Sequence, residues 1–95
     1  IKLFLCSMSY YVYLIISLKK FKLKSYVGYT NNLKKRINLH STGRGAKSTK
    51  GRKWKLIYSR NFKTKSKAMK EEYSLKKNKK KRKILINKFL STNQL

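Results

Sequence analysis

The stretch "AMKEEYSLKK", Ala68 to Lys77, contains the two acidic residues of a 95-residue chain that carries 27 lysines and arginines. On a helix turning about 100° per residue, with Ala68 at zero, Glu72 falls near 40°, Leu75 near −20° and Met69 near 100°. The Glu72 carboxylate therefore lies within the apolar stripe. Glu71, at about −60°, lies toward the polar edge, where Lys67 or the N-terminal half of the helix dipole can satisfy it. An inward carboxylate needs a partner. Two fit: a buried Arg or Lys, giving a structural ion pair, or a divalent cation. One carboxylate, with waters and a substrate phosphate, is how Mg²⁺ is usually held in phosphoryl-transfer sites. A second candidate pair is Arg36 and His40, four apart and on one helical face beside Leu33 and Ile37. Arg36 offers a planar fork for a phosphate, and His40 a proton carrier. The same two residues also suit a solvent-facing cation and a structural histidine.

These residues must be positioned by a small set of elements. "YYVYLIIS", Tyr10 to Ser17, is rich in aromatic and β-branched residues and predicts a buried strand. "LKKFKLK" then reads as a lengthened, exposed, basic connection to a second strand in "SYVGYT". "NNLKKRINLHS" predicts a short amphipathic helix capped by Thr30, Asn31 or Asn32. "STGRGAKSTKGRK" reads as a basic loop, and "WKLIYSRNF" as a third strand, with Trp54, Leu56 and Tyr58 alternating against Lys55 and Ile57. Thr64 or Ser66 can cap a helix through "KAMKEEYSLKK", and a short break leads to a last helix in "NKKKRKILINKFL". The expected order is ββαβαα. That is an α+β fold, a small three-stranded, mainly antiparallel sheet flanked by about three helices.

Hydrophobic residues at 40% and aromatics at 13% exclude a disordered basic tail. A net charge of +25 repels itself in a compact domain unless it works against a polyanion, and nucleic acid is the expected partner. A lysine-, isoleucine- and asparagine-rich composition also fits an AT-rich genome, which accounts for part of the charge. One cysteine, Cys6, allows no internal disulfide and suits a reducing, cytoplasmic setting. The uncharged run Leu3 to Leu18 is shorter than the roughly 20 apolar residues a span needs and is interrupted by Ser and Tyr, so no membrane partner is expected. With Met8 inside the chain, residues 1–7 read as an extension, 8–90 as the domain and 91–95 as a tail.

Together the motifs resemble the GIY-YIG nuclease domain over roughly Met8 to Leu90, in particular its small single-domain bacterial branch, which is similar to the nuclease domain of a eukaryotic structure-specific endonuclease subunit. The first motif stands as Tyr11-Val12-Tyr13 and the second as Tyr26-Val27-Gly28, with Arg36 following. "HSTGRGAKSTKGRKWKLIYS" and "SKAMKEEYSLKK" continue the likeness. Tyr11 replaces the glycine of the first motif. The late asparagine of some members is unassigned between Asn78 and Asn87.

The resemblance implies Tyr13 and Tyr26 as active-site tyrosines, Arg36 as the phosphate-stabilising arginine, His40 as general base or its helper, and Glu72 as ligand of one divalent metal. Mg²⁺ is the expected ion and Mn²⁺ the alternative, and Tyr29 is an auxiliary. The expected activity is hydrolysis of DNA phosphodiesters, with branched or flapped DNA in repair or recombination as candidate substrates in a bacterial, nucleoid-associated protein. Lys22, Lys24, Arg44, Lys47, Lys50, Arg52 and Lys53 are expected to contact the DNA backbone. A protein partner or a homodimer could supply selectivity. The rival expectation is a non-catalytic, basic nucleic-acid-binding module that keeps the fold, with Glu72 as a structural ion pair.

Overall fold

The computed structural model describes residues 9–92 of the chain, so Cys6 and the extension expected at residues 1–7 lie outside it. Three strands, β1 (Tyr10–Lys19), β2 (Lys22–Thr30) and β3 (Lys55–Phe62), form one antiparallel sheet in the order β2-β1-β3. Its apolar, β-branched sequence puts β1 at the centre, where Val12 to Ile16 are fully buried. Helices α1 (Leu33–Ser41), α2 (Lys65–Lys77) and α3 (Lys79–Thr92) complete the ββαβαα order, with a short 3₁₀ turn at Lys47–Thr49. Among the described residues no helix is long and apolar enough to cross a membrane. The part of the apolar run from Tyr10 onward is strand β1.

Side chains alternate across β1 and make two cores. Val12 and Leu14 pack with Val27, Ala68 and Leu75 beneath α2, while Tyr13 and Ile15 pack with Trp54, Leu33 and Ile37 on the α1 side.

The structure corrects the expected basic connection. "LKKFKLK" is the end of one strand and the start of the next, joined by a two-residue turn at Lys20 and Phe21. Its residues already alternate: Lys19, Lys22 and Lys24 share one face, and the cross-strand pair Leu18 and Leu23 the other. The simple alternation expected in the third strand also fails. Leu14 pairs with Tyr58 but Ile15 with Leu56, leaving Ile57 as a bulge. Leu56 therefore joins the Tyr13 core, and both Ile57 and Tyr58 join the opposite one.

Helix capping follows the local chemistry. Asn32 Oδ1 accepts from the Lys35 amide at 3.2 Å, Thr64 Oγ1 from the Lys67 amide at 3.2 Å and Asn78 Oδ1 from the Lys81 amide at 3.0 Å.

Candidate active site

Tyr13 projects from the middle of the central strand toward α1, and Gly28 is its cross-strand neighbour. The hydroxyl end of the phenol lies against that glycine, so a β-carbon at position 28 would collide with Tyr13 Oη. Glycine here is a packing requirement rather than a turn. Because β2 is an edge strand, the hydroxyl reaches the outer margin of the sheet. There it bonds His40 Nε2 at 2.7 Å, and both residues are completely buried.

His40 sits in the last turn of α1, where a second glycine, Gly45, lets the following loop close against its ring. On the far side His40 Nδ1 is 2.9 Å from Thr49 Oγ1, and Thr49 Oγ1 donates to Ala46 O at 2.7 Å. A hydroxyl has one proton, so toward His40 Thr49 can only accept. Nδ1 therefore carries the imidazole proton, and Nε2 accepts from Tyr13. Trp54 Nε1 donates to Thr49 O at 2.9 Å and anchors the loop that brings Thr49 into place.

Tyr26, half-buried, completes an aromatic cluster, its ring centroid 4.8 Å from that of His40 and 6.3 Å from that of Tyr13. Arg36, one helical turn before His40, lies beside the same group. Burial pushes Tyr13 up to about 12; Arg36 draws it down, while Tyr26 and the Glu72 charge push it further up. Burial, then the Arg36 charge, lowers His40 to about 4. Contact with Tyr13 raises Arg36 above its ordinary range, against the opposing effect of burial. At rest the proton stays on the phenol.

Glu72 stands on the other side of the sheet. Its helix, α2, packs on the opposite core, yet the carboxylate is close enough to Tyr13 for its charge to be felt there. The side chain is 19% exposed, and its ion pair is with half-exposed Lys76 at 3.6 Å, one helical turn on. Glu71, expected to meet Lys67 or the helix dipole, instead lies 3.9 Å from Arg60 and 3.8 Å from Lys81, because β3 and α3 flank that edge of α2.

The other expected residues divide by position. Tyr29 lies on the face away from Tyr13 and lines a cleft of about 360 Å³ with Tyr10, Thr30, Asn31, Arg36 and Lys65. Lys22 and Lys24 share the Tyr13 face of the hairpin, and Arg44, Lys47, Lys50 and Lys53 are exposed on the loop after α1. Arg52 differs: Nη2 donates to Ser17 O at 3.1 Å and Lys22 O at 2.6 Å, clamping that loop to the hairpin. Asn78 is engaged as a cap, and Asn87 faces Leu23 and Ser25 beside α3. Sequence reasoning missed Thr49 and Gly45, which stand inside a run read only as a basic loop.

The profile of the GIY-YIG catalytic domain matches residues 9–85. The chain belongs to the GIY-YIG family. It is similar to the UPF0213 protein of Oceanobacillus iheyensis, 52% identical over 54% of this chain and 60% of that protein. It is also similar to the UPF0213 protein of Streptococcus pneumoniae serotype 4, 43% identical over 73% of this chain and 68% of that one. The solution NMR structure of the UPF0213 protein BH0048 from Bacillus halodurans is 36% identical, with 84% of each chain covered and a TM-score of 0.46. The chain thus spans about three fifths of the length of the first of these relatives. GIY-YIG membership gives the chain a domain of the nuclease type, and GIY-YIG nucleases generally use divalent metals. Among the described residues no three His, Cys, Asp or Glu side chains converge as a metal cage. The donor chemistry fits a hard cation held by one carboxylate, since Glu72 offers oxygen ligands, is largely buried and is paired to one half-exposed lysine.

Proposed function

We propose that the chain is a metal-dependent endonuclease that hydrolyses DNA phosphodiesters, with Tyr13, Tyr26, Arg36, His40 and Glu72 as its working residues. The buried 2.7 Å contact from Tyr13 Oη to His40 Nε2, backed by Thr49, carries the proposal. It gives the phenol a base whose free lone pair is held in one orientation. A proton leaving the attacking water passes to Tyr13 Oη as the phenol's own proton passes to His40 Nε2, the resulting hydroxide forms the new P–O bond as the leaving P–O bond breaks, and the departing oxygen takes a proton from solvent.

At rest the gap between about 12 and about 4 opposes this transfer. Arg36 acts against that gap by drawing Tyr13 down, and its planar fork is the group that a scissile phosphate pairs with. Tyr26, half-buried against the His40 ring, steadies the phosphate. Glu72 would hold a divalent metal, Mg²⁺ or Mn²⁺, which would supply charge stabilisation to the phosphate oxygens. A preference for branched or flapped DNA belongs to the same proposal and rests on the family resemblance.

A second reading, a non-catalytic binding module, is favoured by the complete burial of Tyr13 and by the Glu72–Lys76 pair. Cleavage of linear, flapped and four-way DNA, with and without Mg²⁺ or Mn²⁺, separates the two. The enzyme reading expects metal-dependent cutting that Glu72→Gln abolishes while DNA binding persists. Binding by both proteins with no cutting of any substrate establishes the module instead.

A further inference from the structure

The β1–β2 hairpin ends in a feature that folding alone does not explain. Lys20 and Phe21 adopt φ of 50° and 65°, left-handed conformations that suit Asn-Gly and cost a bulky side chain on the order of 1 kcal/mol each. Phe21 is 99% exposed, the most exposed large apolar side chain described. The tip is braced rather than loose, with Arg52 Nη2 on Ser17 O and Lys22 O and Lys19 Nζ on Gly51 O at 2.7 Å. A strained turn that is held fixed and presents an apolar ring to water points to a ligand for that ring.

Cross-strand register names the ligand's chemistry. Lys19, Lys22 and Lys24 lie on the same sheet face as Tyr13 and Tyr26, forming a basic lane from the aromatic cluster to the tip. Such a lane fits a polyphosphate track, and a planar ring at its end fits an unstacked base.

We propose that Phe21 is a wedge that stacks on the base exposed at a DNA branch while the lysine lane holds the adjoining duplex. The proposal deepens the nuclease reading and rests on it for the choice of nucleic acid. Gly28, over which the Tyr13 hydroxyl lies, is seven residues from Phe21. At about 3.3 Å per residue the wedge is roughly 20 Å from the phenol, or six to seven base pairs at about 3.4 Å each. The branch should sit at that offset from the cut.

Binding without metal tests the wedge independently of cleavage. Fluorescence anisotropy compares linear and flapped duplexes of equal length, and 2-aminopurine next to the branch reports stacking. The native chain is expected to bind flapped DNA more tightly and to quench the probe. Phe21→Ala should lose about tenfold on flapped DNA, change linear binding by less than about twofold and leave the probe bright. The double variant Lys20→Asn/Phe21→Gly should show the same loss while melting at a higher temperature, which excludes misfolding. Equal native affinity for the two DNAs, or equal losses on both, overturns the wedge. So does a Phe21→Ala protein that keeps full flap binding but no longer binds phosphatidylserine vesicles, which makes the tip a membrane anchor. Cleavage that fails while the stacking signal stands leaves the wedge intact and removes only the nuclease reading.

Discussion

The two faces of β1 are buried to the same degree and used differently. Beneath α2, Val12 and Leu14 meet Val27, Ala68 and Leu75, and the contacts are apolar. Facing α1, the same strand buries a phenol hydroxyl, an imidazole and a threonine hydroxyl, each with a partner. Burying polar groups gains little net stability even when every bond is made. The first face stabilises the sheet; the second fixes the orientation of a few atoms, with two glycines removing the side chains that would displace them.

The sharpest break of that contrast is Gly28→Ala. A methyl there must push Tyr13 Oη off His40, so cleavage should fall by a factor of at least about 100, while urea denaturation shows a loss smaller than that of a core truncation. Leu14→Ala on the apolar face should do the reverse. It should cost about 3 kcal/mol of stability and leave the turnover of the folded fraction at the native value.

Acid should expose the polar face alone. His40, at about 4 in the fold against an ordinary 6.5, is held neutral. The unfolded chain takes up the proton first, so stability is complete above about pH 6.5 and is lost as pH falls through 4. Denaturation at pH 7 and pH 4.5 should differ by roughly 2–3 kcal/mol, and His40→Gln should flatten the difference. The smallest effect is expected of Thr49→Val. It removes the acceptor for Nδ1–H at constant shape and should lower cleavage about tenfold, with Thr49→Ser near native and the ¹⁵N shifts of His40 reporting a mixed tautomer.

Much of this was legible in the sequence, for reasons that differ by residue. The strand and helix order follows from hydrophobic period and caps. Helical angle did not separate the two carboxylates: Glu72 and Glu71 are exposed alike, at 19% and 21%, although the Glu72 charge is felt at Tyr13. The hairpin tip was not legible, because a Lys-Phe pair in a two-residue turn violates the local preference for Asn-Gly, and only the ladder reveals that Lys19 to Lys24 still alternate. Nor was the bulge at Ile57, which a strict period of two cannot contain. Thr49 was hidden because its role depends on the loop folding back onto His40 and being anchored by Trp54, whereas its neighbours are those of an ordinary basic loop. The partners of Glu71 depend on where β3 and α3 flank α2, which helical angle alone does not encode.

The central claim is that the oxygen of Tyr13 serves chemistry and not packing. Tyr13→Phe removes that atom alone, and cleavage of flapped DNA in Mg²⁺ and melting temperature can be measured on the same preparation. The account predicts a loss of cleavage of about 1,000-fold with DNA binding unchanged and melting lowered only by the loss of one buried partner for His40 Nε2, about 1–3 kcal/mol. Native cleavage by Tyr13→Phe would contradict it.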